Sequence, residues 1–454
     1  MQIASTAAEG ERAVPAVARV VGSRPRPVLD RWAVAATVAG NALEFYDFLV
    51  YSTFAVYIGK AFFPTRTEFA GLLLSLATFG VGFFTRPLGG LLIGAMGDRA
   101  GRRPALMLTI GLMAVGTLGV AVTPSYAAIG IAAPVILVAA RLVQGLALGG
   151  EVGPSTAVLL ECSPPGRRGI YTSWQSASQG IAILAAGLVG VVLGAVLSPE
   201  QLADWGWRVA FALGLIIVPV GLYIRRRLPE TLMRRPDTGT SAGVIRVVWN
   251  QHLGSMTLAI LVIMCMTISV YVNNYMTTYA LTTLGLPAFK AMWATLIGGA
   301  AIAVGAVWSG QLSDRFGRKP LMIVSRVALV LVVYPAYVLL VNEKSLWALV
   351  SVSALLNLLS TLGAAAALVA IAEIFPNQVR SAGFAISYAV SVSVFGGSTQ
   401  FVIAWLIGVT GDPLSPAYYV ILTSLVSLIA MFRMPETFTP SERAAARRAE
   451  AAPG

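Results

Sequence analysis

The sequence predicts an all-α membrane protein in which twelve transmembrane helices form two pseudo-symmetric bundles of six. The length of the apolar runs, the charge of the loops and an internal repeat are the three observations behind this prediction. Of the 454 residues, 57% are hydrophobic and 11% are charged, whereas soluble domains carry roughly 25% charged residues. A soluble fold could not cover so much apolar surface.

Long apolar runs recur from one end of the chain to the other. Runs such as 105–122 and 255–272 reach the roughly 17–25 residues that cross the hydrocarbon of a bilayer. Backbone polar groups in lipid must be bonded within their own segment, and the runs lack the alternation of barrel strands, so they are predicted to be helices. The predicted spans, numbered 1 to 12, are 32–58, 68–96, 104–123, 131–159, 169–196, 209–224, 254–279, 291–311, 320–341, 346–371, 381–408 and 415–432.

The Lys and Arg residues are concentrated in alternate segments between the spans. Of the 32, 24 lie in segments on the same side as the two termini, five lie in the other segments, and Arg86, Arg141 and Arg326 lie within spans. Because cytoplasmic loops carry such an excess, we expect a multi-pass protein of the bacterial inner membrane with both termini in the cytoplasm. Arg326 is one to two turns inside span 9, so its head group is expected to extend to the cytoplasmic surface.

An internal repeat relates the two halves of the chain. The segment 98–104 (DRAGRRP) recurs as 314–320 (DRFGRKP), and the tripeptide Pro-Glu-Thr at 229–231 recurs at 435–437. Each copy follows the same span of its half, which indicates a parallel duplication of six helices, an arrangement typical of transporters. The predicted parts are a tail at 1–31, bundles at 32–224 and 254–432, a central loop at 225–253 and a second tail at 433–454.

The repeated loop is predicted to be a conformational switch. Its glycine allows a tight turn between two helices, and its carboxylate lies near helix ends, where arginines and helix N-termini can bind it. A basic loop that only fixes topology is the alternative, and the recurrence of the pattern argues against it. The candidate switch residues are Gly94, Asp98, Arg99, Gly101 and Arg102 in the first half and Asp314, Arg315, Gly317 and Arg318 in the second.

These motifs are similar to those of a known family. The pattern Gly94-x-x-x-Asp98-Arg99-x-Gly101-Arg102-Arg103 resembles the loop signature of the major facilitator superfamily. The first half also resembles the metabolite:proton symporters of that superfamily in Gly40-Asn41-x-x-Glu44-x-Tyr46-Asp47-Phe48, Phe62-Phe63-Pro64, Arg86-Pro87-Leu88-Gly89-Gly90, Arg141-x-x-Gln144-Gly145 and Gly149-Gly150-Glu151.

The resemblance implies an activity and its partners. Members of that family carry citrate, tricarballylate, 2-oxoglutarate, shikimate or proline/betaine together with protons. We therefore expect proton symport of a small carboxylate-bearing metabolite by alternating access, with protons, the organic acid and the lipid bilayer as partners. A monomer is expected.

Five ionisable residues lie inside the spans of the first half. They are Glu44 and Asp47 in span 1, Arg86 in span 2, and Arg141 and Glu151 in span 4. An ionised residue at the centre of a membrane helix costs about 2.5–3.5 kcal/mol even on the insertion scale that gives the smallest penalty. The five side chains should therefore face a central cavity and pair with one another. The expected pairs are Asp47 with Arg141, and Glu44 or Glu151 with Arg86.

This arrangement suits proton coupling, because a carboxylate that loses its arginine partner takes up a proton more easily. Asp47 is the predicted proton-coupling acid and Arg141 its switching partner, with Glu44 and Glu151 as further members. Arg86 is the candidate for the substrate carboxylate, since guanidinium binds carboxylates with two parallel hydrogen bonds. Purely structural pairing is the alternative for each of these residues.

Polar side chains of spans 1, 5 and 7 could complete a substrate pocket, although helix–helix hydrogen bonding explains each of them equally well. The candidates are Tyr46, Trp174, Gln175, Gln179, Tyr271, Asn274 and Tyr275, with Asn273, Asn357, Tyr388 and Gln400 as weaker ones.

Other classes of protein lack their signatures in this sequence. No Gly-x-x-x-x-Gly-Lys-Ser/Thr loop is present, which argues against a nucleotide-driven pump. Cys162, Cys265 and His252 are too few and too scattered for a metal site or a disulfide framework, and no nucleophile–base spacing suggests an enzyme. We therefore predict no enzymatic activity, no cofactor and no metal. The confinement of basic residues to short loops argues against nucleic-acid binding.

Within the carriers, two alternatives remain. A drug/proton antiporter would usually have a Gly-Pro signature in span 5, and 169–196 contains no proline. A proline/betaine carrier would tend to have a long C-terminal coiled coil, for which 443–452 is too short. A transport-inactive membrane sensor would share all of these features, and only a flux measurement would distinguish it from a carrier.

Overall fold

The computed structural model describes residues 31–100, 102–149, 159, 168–226, 249–376 and 379–438. Within these ranges the chain is helical, and they contain no strand. Nine of the described helices are long and apolar enough to cross a membrane, and Met107–Val122 is a shorter apolar helix.

Helices occupy all twelve predicted spans, which confirms the predicted fold class. In the first half, the helices are Arg31–Thr53 and Ala55–Phe62 (span 1), Glu68–Phe84 and Arg86–Ala100 (span 2), Arg102–Val122 (span 3), Ala132–Gly149 (span 4), Arg168–Val196 (span 5) and Trp207–Arg226 (span 6). Short helical segments between the spans are Tyr126–Ile129, Pro199–Gln201 and Leu202–Gly206. The predicted end of span 4 lies outside the described residues.

The second half repeats this layout. Its helices are Leu253–Asn274 and Met276–Thr282 (span 7), Ala288–Phe316 (span 8), Arg318–Glu343 (span 9), Leu346–Glu373 (span 10), Arg380–Ser391, Val392–Gly396 and Gly397–Thr410 (span 11), and Ser415–Arg433 (span 12). The segment Val392–Gly396 has the wider winding of a π-helix.

A break in span 2 at Thr85 determines where the next helix begins. The Thr85 hydroxyl donates a hydrogen bond to the backbone oxygen of Leu142 on span 4, at 2.8 Å. Arg86 is the first residue of the second helix of span 2. The break therefore fixes Arg86 next to span 4, which carries Arg141.

Glycines allow close contact between the two halves. A Cβ atom on Gly187 of span 5 would lie 2.3 Å from the backbone nitrogen of Leu296 on span 8, and one on Gly299 would lie 2.2 Å from that of Leu184. Spans 2 and 11 meet in the same way, at Gly80 and Gly397. The close helix packing that small residues permit in membranes thus occurs where spans of opposite bundles touch.

This packing makes a prediction about Gly299. Gly299→Ala should force spans 5 and 8 apart and lower the free energy of unfolding by about 1–3 kcal/mol, because the added methyl group meets backbone atoms that cannot move independently. The matched control is Gly111→Ala, since a Cβ at Gly111 meets no atom within 4 Å. Thermal unfolding of the detergent-solubilised variants measures the difference, and equal melting temperatures would contradict the prediction.

Candidate functional site

Two arginine side chains lie against the ring of Phe48. The guanidinium carbon of Arg86 is 4.5 Å from the centre of that ring, and that of Arg141 is 4.6 Å from it. Arg86 is also 3.9 Å from the ring centre of Phe83, and Arg141 is 4.4 Å from that of Tyr51. Aromatic faces attract cations, so these rings stabilise both buried charges.

Both arginines keep unused hydrogen-bond donors. Arg141 is 0% exposed and Arg86 is 8% exposed. One nitrogen of Arg141 donates to the side-chain oxygen of Gln144 at 2.7 Å, while the Nε and Nη2 atoms of both arginines have no hydrogen-bond partner among the described residues. Among the described residues, neither guanidinium forms an ion pair with a carboxylate. Buried donors of this kind usually have a partner, and a carboxylate is among the strongest that a guanidinium can bind.

The second half of the chain contributes tyrosines to this cluster. The ring of Tyr271 on span 7 lies 5.2 Å from that of Phe83, centre to centre, and its hydroxyl interacts with Arg86. Tyr388 on span 11 is within electrostatic reach of Tyr271 and Arg86. The arginine cluster therefore lies where the two bundles meet.

The two acids of span 1 are buried, as predicted. Glu44 is 4% exposed and Asp47 is 3% exposed, so neither faces lipid. Both line a small pocket between spans 1, 3 and 6, together with Gly40, Leu43, Ile110, Met113, Gly214 and Val218. The pocket lies inside the first bundle, whereas the arginine cluster lies at its junction with the second.

The predicted ion pairs are replaced by other contacts. Asp47 accepts a hydrogen bond from the Thr117 hydroxyl at 2.8 Å, and its other oxygen, Oδ1, has no hydrogen-bond partner within the described ranges. Gln144 donates to the same hydroxyl at 3.0 Å, so Asp47 reaches Arg141 only through Thr117 and Gln144. The direct Asp47–Arg141 pair is therefore wrong, because two polar side chains occupy the space between the charges.

Arg86 was predicted to pair with Glu44 or Glu151, and the described residues show no ion pair between Arg86 and Glu44. Glu44 accepts a hydrogen bond from the Thr109 hydroxyl on span 3, at 3.2 Å, whereas Arg86 is enclosed by Phe48 and Phe83. Glu151, the other predicted partner of Arg86, lies outside the described residues.

Of the remaining pocket candidates, only Tyr271 and Tyr388 lie beside the arginines. The Tyr46 hydroxyl donates to the backbone oxygen of Ala210 at 3.0 Å, and Gln175 donates to Asn41 at 3.2 Å. Trp174 is 37% exposed. Gln179 and Asn274 are half-buried, and Tyr275 belongs to a hydrophobic core of the second half. Helix–helix hydrogen bonds likewise engage Asn273 and Gln400, whereas Asn357 donates to the backbone oxygen of Ser353 in its own helix.

Arg326 does not reach the membrane surface, which corrects the prediction from its position in span 9. It is 3% exposed, and one of its nitrogens donates to the Ser269 hydroxyl on span 7 at 2.8 Å. The partner comes from another span, so it could not be recognised from the distance between Arg326 and the end of its own helix.

The loop between spans 8 and 9 joins the two bundles. The carboxylate of Asp314 accepts hydrogen bonds from the backbone nitrogens of Gly169, at 2.8 Å, and Ile170, at 3.0 Å. These residues open span 5, and the N-terminus of a helix favours negative charge. Arg318 forms an ion pair with Asp314 at 3.0 Å across the turn at Gly317, whose φ is +102°.

Of the other switch candidates, the structure describes the surroundings of Arg315 and Gly94. Arg315 is exposed, and no atom lies within 4 Å of a Cβ placed on Gly94. The side chains of Asp98, Arg99 and Arg102, as well as Gly101, lie outside the described residues.

The second copy of the Pro-Glu-Thr motif, at 435–437, contacts the same loop. The carboxylate of Glu436 accepts hydrogen bonds from the backbone nitrogens of Arg318, at 3.2 Å, and Lys319, at 3.1 Å. Glu436 thus caps the start of span 9 from a position just beyond the end of span 12. The repeat was visible in the sequence, whereas its capping role follows only from the contact.

Comparison with known proteins identifies the family. A model of the Major Facilitator Superfamily matches residues 37–399, with a further match at 291–453. The chain belongs to this superfamily. The crystal structure of the D-xylose-proton symporter is similar with a TM-score of 0.72 and 21% identity, over 89% of this chain and 98% of that one, which matches the superfamily fold seen here.

Relatives within the superfamily are carriers. A citrate-proton symporter of Klebsiella pneumoniae is 36% identical over 88% of this chain and 90% of its own length. The alpha-ketoglutarate permease of Escherichia coli (strain K12) is 33% identical over 88% of this chain and 92% of its own. A proline/betaine transporter of Salmonella typhimurium is 32% identical over 90% of this chain and 84% of its own.

In this member of the superfamily, sequence reasoning missed the aromatic residues and the threonine of the site. The three phenylalanines Phe48, Phe79 and Phe83 look like ordinary apolar residues of a membrane helix, and nothing in the sequence distinguishes Thr117 from other buried threonines. The spacing of Arg141 and Gln144 was a usable signal, because residues three apart on a helix share a face.

The Asp314 contacts predict the effect of removing its charge. Asp314→Asn should loosen the junction of spans 5 and 8, because the amide nitrogen cannot accept one of the two backbone hydrogen bonds and the other becomes a neutral bond that is about half as strong. A cysteine at Ser173, which is buried near Gly310 of span 8, should then react several-fold faster with a soluble maleimide, in a chain carrying Cys162→Ser and Cys265→Ser.

The control for this experiment is Asp412→Asn in the same background. Asp412 accepts a hydrogen bond from Leu414 within its own turn, so its loss should leave the labelling rate unchanged. Equal labelling of the Asp314 and Asp412 variants would show that the Asp314 contact does not hold the bundles together.

Proposed function

We propose that this chain is a secondary active transporter that carries a small di- or tricarboxylate of the citrate class together with protons, by alternating access. The observation that carries the proposal is the pair of buried guanidinium groups at the junction of the bundles, whose Nε and Nη2 atoms have no hydrogen-bond partner in the part of the chain that the structure describes. The names of the citrate and alpha-ketoglutarate relatives support the same class of substrate.

Two buried cations favour a substrate with more than one acid group. Each guanidinium can form two parallel hydrogen bonds with a carboxylate. Arg86 and Arg141 lie against the same ring, so a short dicarboxylate or tricarboxylate could contact both. Tyr271 and Tyr388 would bring the second bundle into contact with the same ligand, which links substrate binding to closure of the two halves.

Asp47 is the group we assign to the proton. When ionised, it offsets part of the positive charge of the arginines through the intervening side chains. A substrate carboxylate at Arg141 takes over that role, so the Asp47 carboxylate then gains a proton more easily. Substrate and proton would cross together, and Glu44 in the same pocket is the second candidate for the acid.

The orientation follows from the loop charges. Both termini and the switch loops are assigned to the cytoplasm of the bacterial inner membrane, because 24 of the 32 Lys and Arg residues share that side. The contacts of Asp314 with span 5 would then close the cytoplasmic side, and breaking them would be part of opening it. The bundle bounds 32–224 and 254–432 and the monomeric state belong to the same proposal.

A zwitterion such as betaine fits this site less well. Its quaternary ammonium group is typically recognised by free aromatic faces. In the described site the faces of Phe48, Phe83 and Tyr51 are taken by guanidinium groups. The proline/betaine relative therefore does not change the proposed substrate class.

Asp47→Asn should uncouple transport from the proton. The amide keeps the shape but cannot gain and lose a proton at physiological pH, so accumulation of citrate in proteoliposomes under an imposed pH gradient should disappear, while exchange of citrate for citrate continues. The exposed Asp204→Asn serves as the control. Normal accumulation by Asp47→Asn would refute this assignment.

Arg86→Lys should weaken substrate binding while keeping the charge. Lysine cannot form the two parallel bonds, so the KM for citrate should rise by roughly one to two orders of magnitude, as expected for the loss of hydrogen bonds between charged groups. The control is Arg66→Lys, at an exposed arginine. Competition by citrate, tricarballylate, 2-oxoglutarate, shikimate and proline identifies the substrate, and strong competition by proline alone would contradict the proposed class.

A further inference from the structure

We propose that Thr117 and Gln144 are positioning residues that couple the protonation of Asp47 to the availability of Arg141. This inference rests on the proposed function, since it assumes that Asp47 takes the proton and Arg141 the substrate. Neither residue touches the proposed substrate in this role. Together they would form a hydrogen-bonded relay between the pocket inside the first bundle and the arginine cluster at its edge.

The relay is continuous and fully buried. Arg141 donates to the Gln144 oxygen at 2.7 Å, the Gln144 amide donates to the Thr117 hydroxyl at 3.0 Å, and that hydroxyl donates to Asp47 at 2.8 Å. Thr117, Gln144 and Arg141 are each 0% exposed. All three bonds point the same way, from the cation to the carboxylate, and a chain between opposite charges strengthens each of its members.

Neighbouring glycines fit the relay closely. A Cβ on Gly116 would lie 2.4 Å from the Cγ atom of Gln144, and one on Gly214 of span 6 would lie 1.9 Å from Oδ1 of Asp47. Gln144 and Asp47 are therefore both packed against bare backbone, which limits the positions that these two side chains can adopt.

Protonation of Asp47 would rearrange the hydrogen bonds of the relay without moving a proton along it. The proton binds the Asp47 carboxylate, so the bond from Thr117 loses its charged acceptor. If the acid then donates to Thr117, the hydroxyl no longer donates to Asp47, and it can donate to the Gln144 oxygen once the Gln144 amide has turned. The amide NH₂ group then faces Arg141, where two donors meet and no hydrogen bond forms.

The consequence is a two-state element. With Asp47 ionised, Gln144 occupies one donor of Arg141. With Asp47 protonated, that donor is released for a substrate carboxylate. Because the linkage is reciprocal, a substrate that draws Arg141 away from Gln144 also favours protonation of Asp47. This would be the physical basis for moving substrate and proton together.

The test uses the full chain in proteoliposomes with radiolabelled citrate as the probe. Thr117→Val has nearly the same shape and lacks both the donor and the acceptor. We expect citrate exchange within about twofold of wild type, and accumulation under a pH gradient reduced about tenfold or more, because hydrogen bonds to charged groups contribute to this extent. Gln144→Met should behave in the same way.

Two further variants separate coupling from structural support. Thr117→Ser restores the hydroxyl and should restore accumulation. Thr123→Val is the matched control, because the Thr123 hydroxyl donates only to Gly119 of its own helix, span 3. The pH at which accumulation is half-maximal should shift to alkaline values in Thr117→Val, since the lost donor stabilises the ionised carboxylate.

The outcomes distinguish the inference from the function on which it rests. Wild-type accumulation by Thr117→Val, or equal loss of exchange and accumulation with no rescue by serine, would overturn the relay. If Asp47→Asn uncouples transport and Thr117→Val does not, only the relay fails. If wild-type protein accumulates none of the tested acids under the gradient, or Asp47→Asn accumulates citrate normally, the proposed function itself fails.

Discussion

The burial of two like charges in an apolar bundle is the constraint on which the site depends. Arg86 and Arg141 lie against one phenylalanine ring, and the described residues offer neither of them a carboxylate in direct contact. Charges at this depth are costly unless they are paired or solvated. Aromatic faces, one glutamine and a carboxylate two side chains away offset only part of the cost. The remainder favours an acidic ligand that arrives and leaves.

The acids and the arginines occupy two separate layers of the site. The acids lie in a pocket between spans 1, 3 and 6, and the arginines lie at the junction with the second bundle. A substrate at the junction would meet tyrosines of the second bundle, so its binding would alter contacts between the halves. The Asp314 carboxylate also contacts this junction, at the N-terminal end of span 5, where it accepts a hydrogen bond from the backbone of Gly169. Binding and closure thus involve the same pair of surfaces.

The fold could be predicted because its determinants are local. Apolar run length and loop charge are read one segment at a time, and the repeat at 98–104 and 314–320 relates the halves directly. Partners in the site could not be predicted, because they depend on how each helix is rotated against its neighbours. Asp47 was expected to contact Arg141, yet Thr117 of span 3 and Gln144 of span 4 fill the space between them. The position of the Arg326 head group was predicted wrongly for the same reason, because its partner Ser269 lies on another span.

The two halves share their loops but not their buried charges. The loop after span 8 keeps the Asp-Arg-x-Gly-Arg pattern of the loop after span 2. By contrast, span 1 carries two buried acids, whereas span 7 contains no acidic residue and presents Ser269 to Arg326 of span 9. If the loops serve closure, as proposed, both halves need them, which would explain why the pattern occurs in both. A group that binds and releases a proton would be needed in one half only, so the other half could bury a cation in its place.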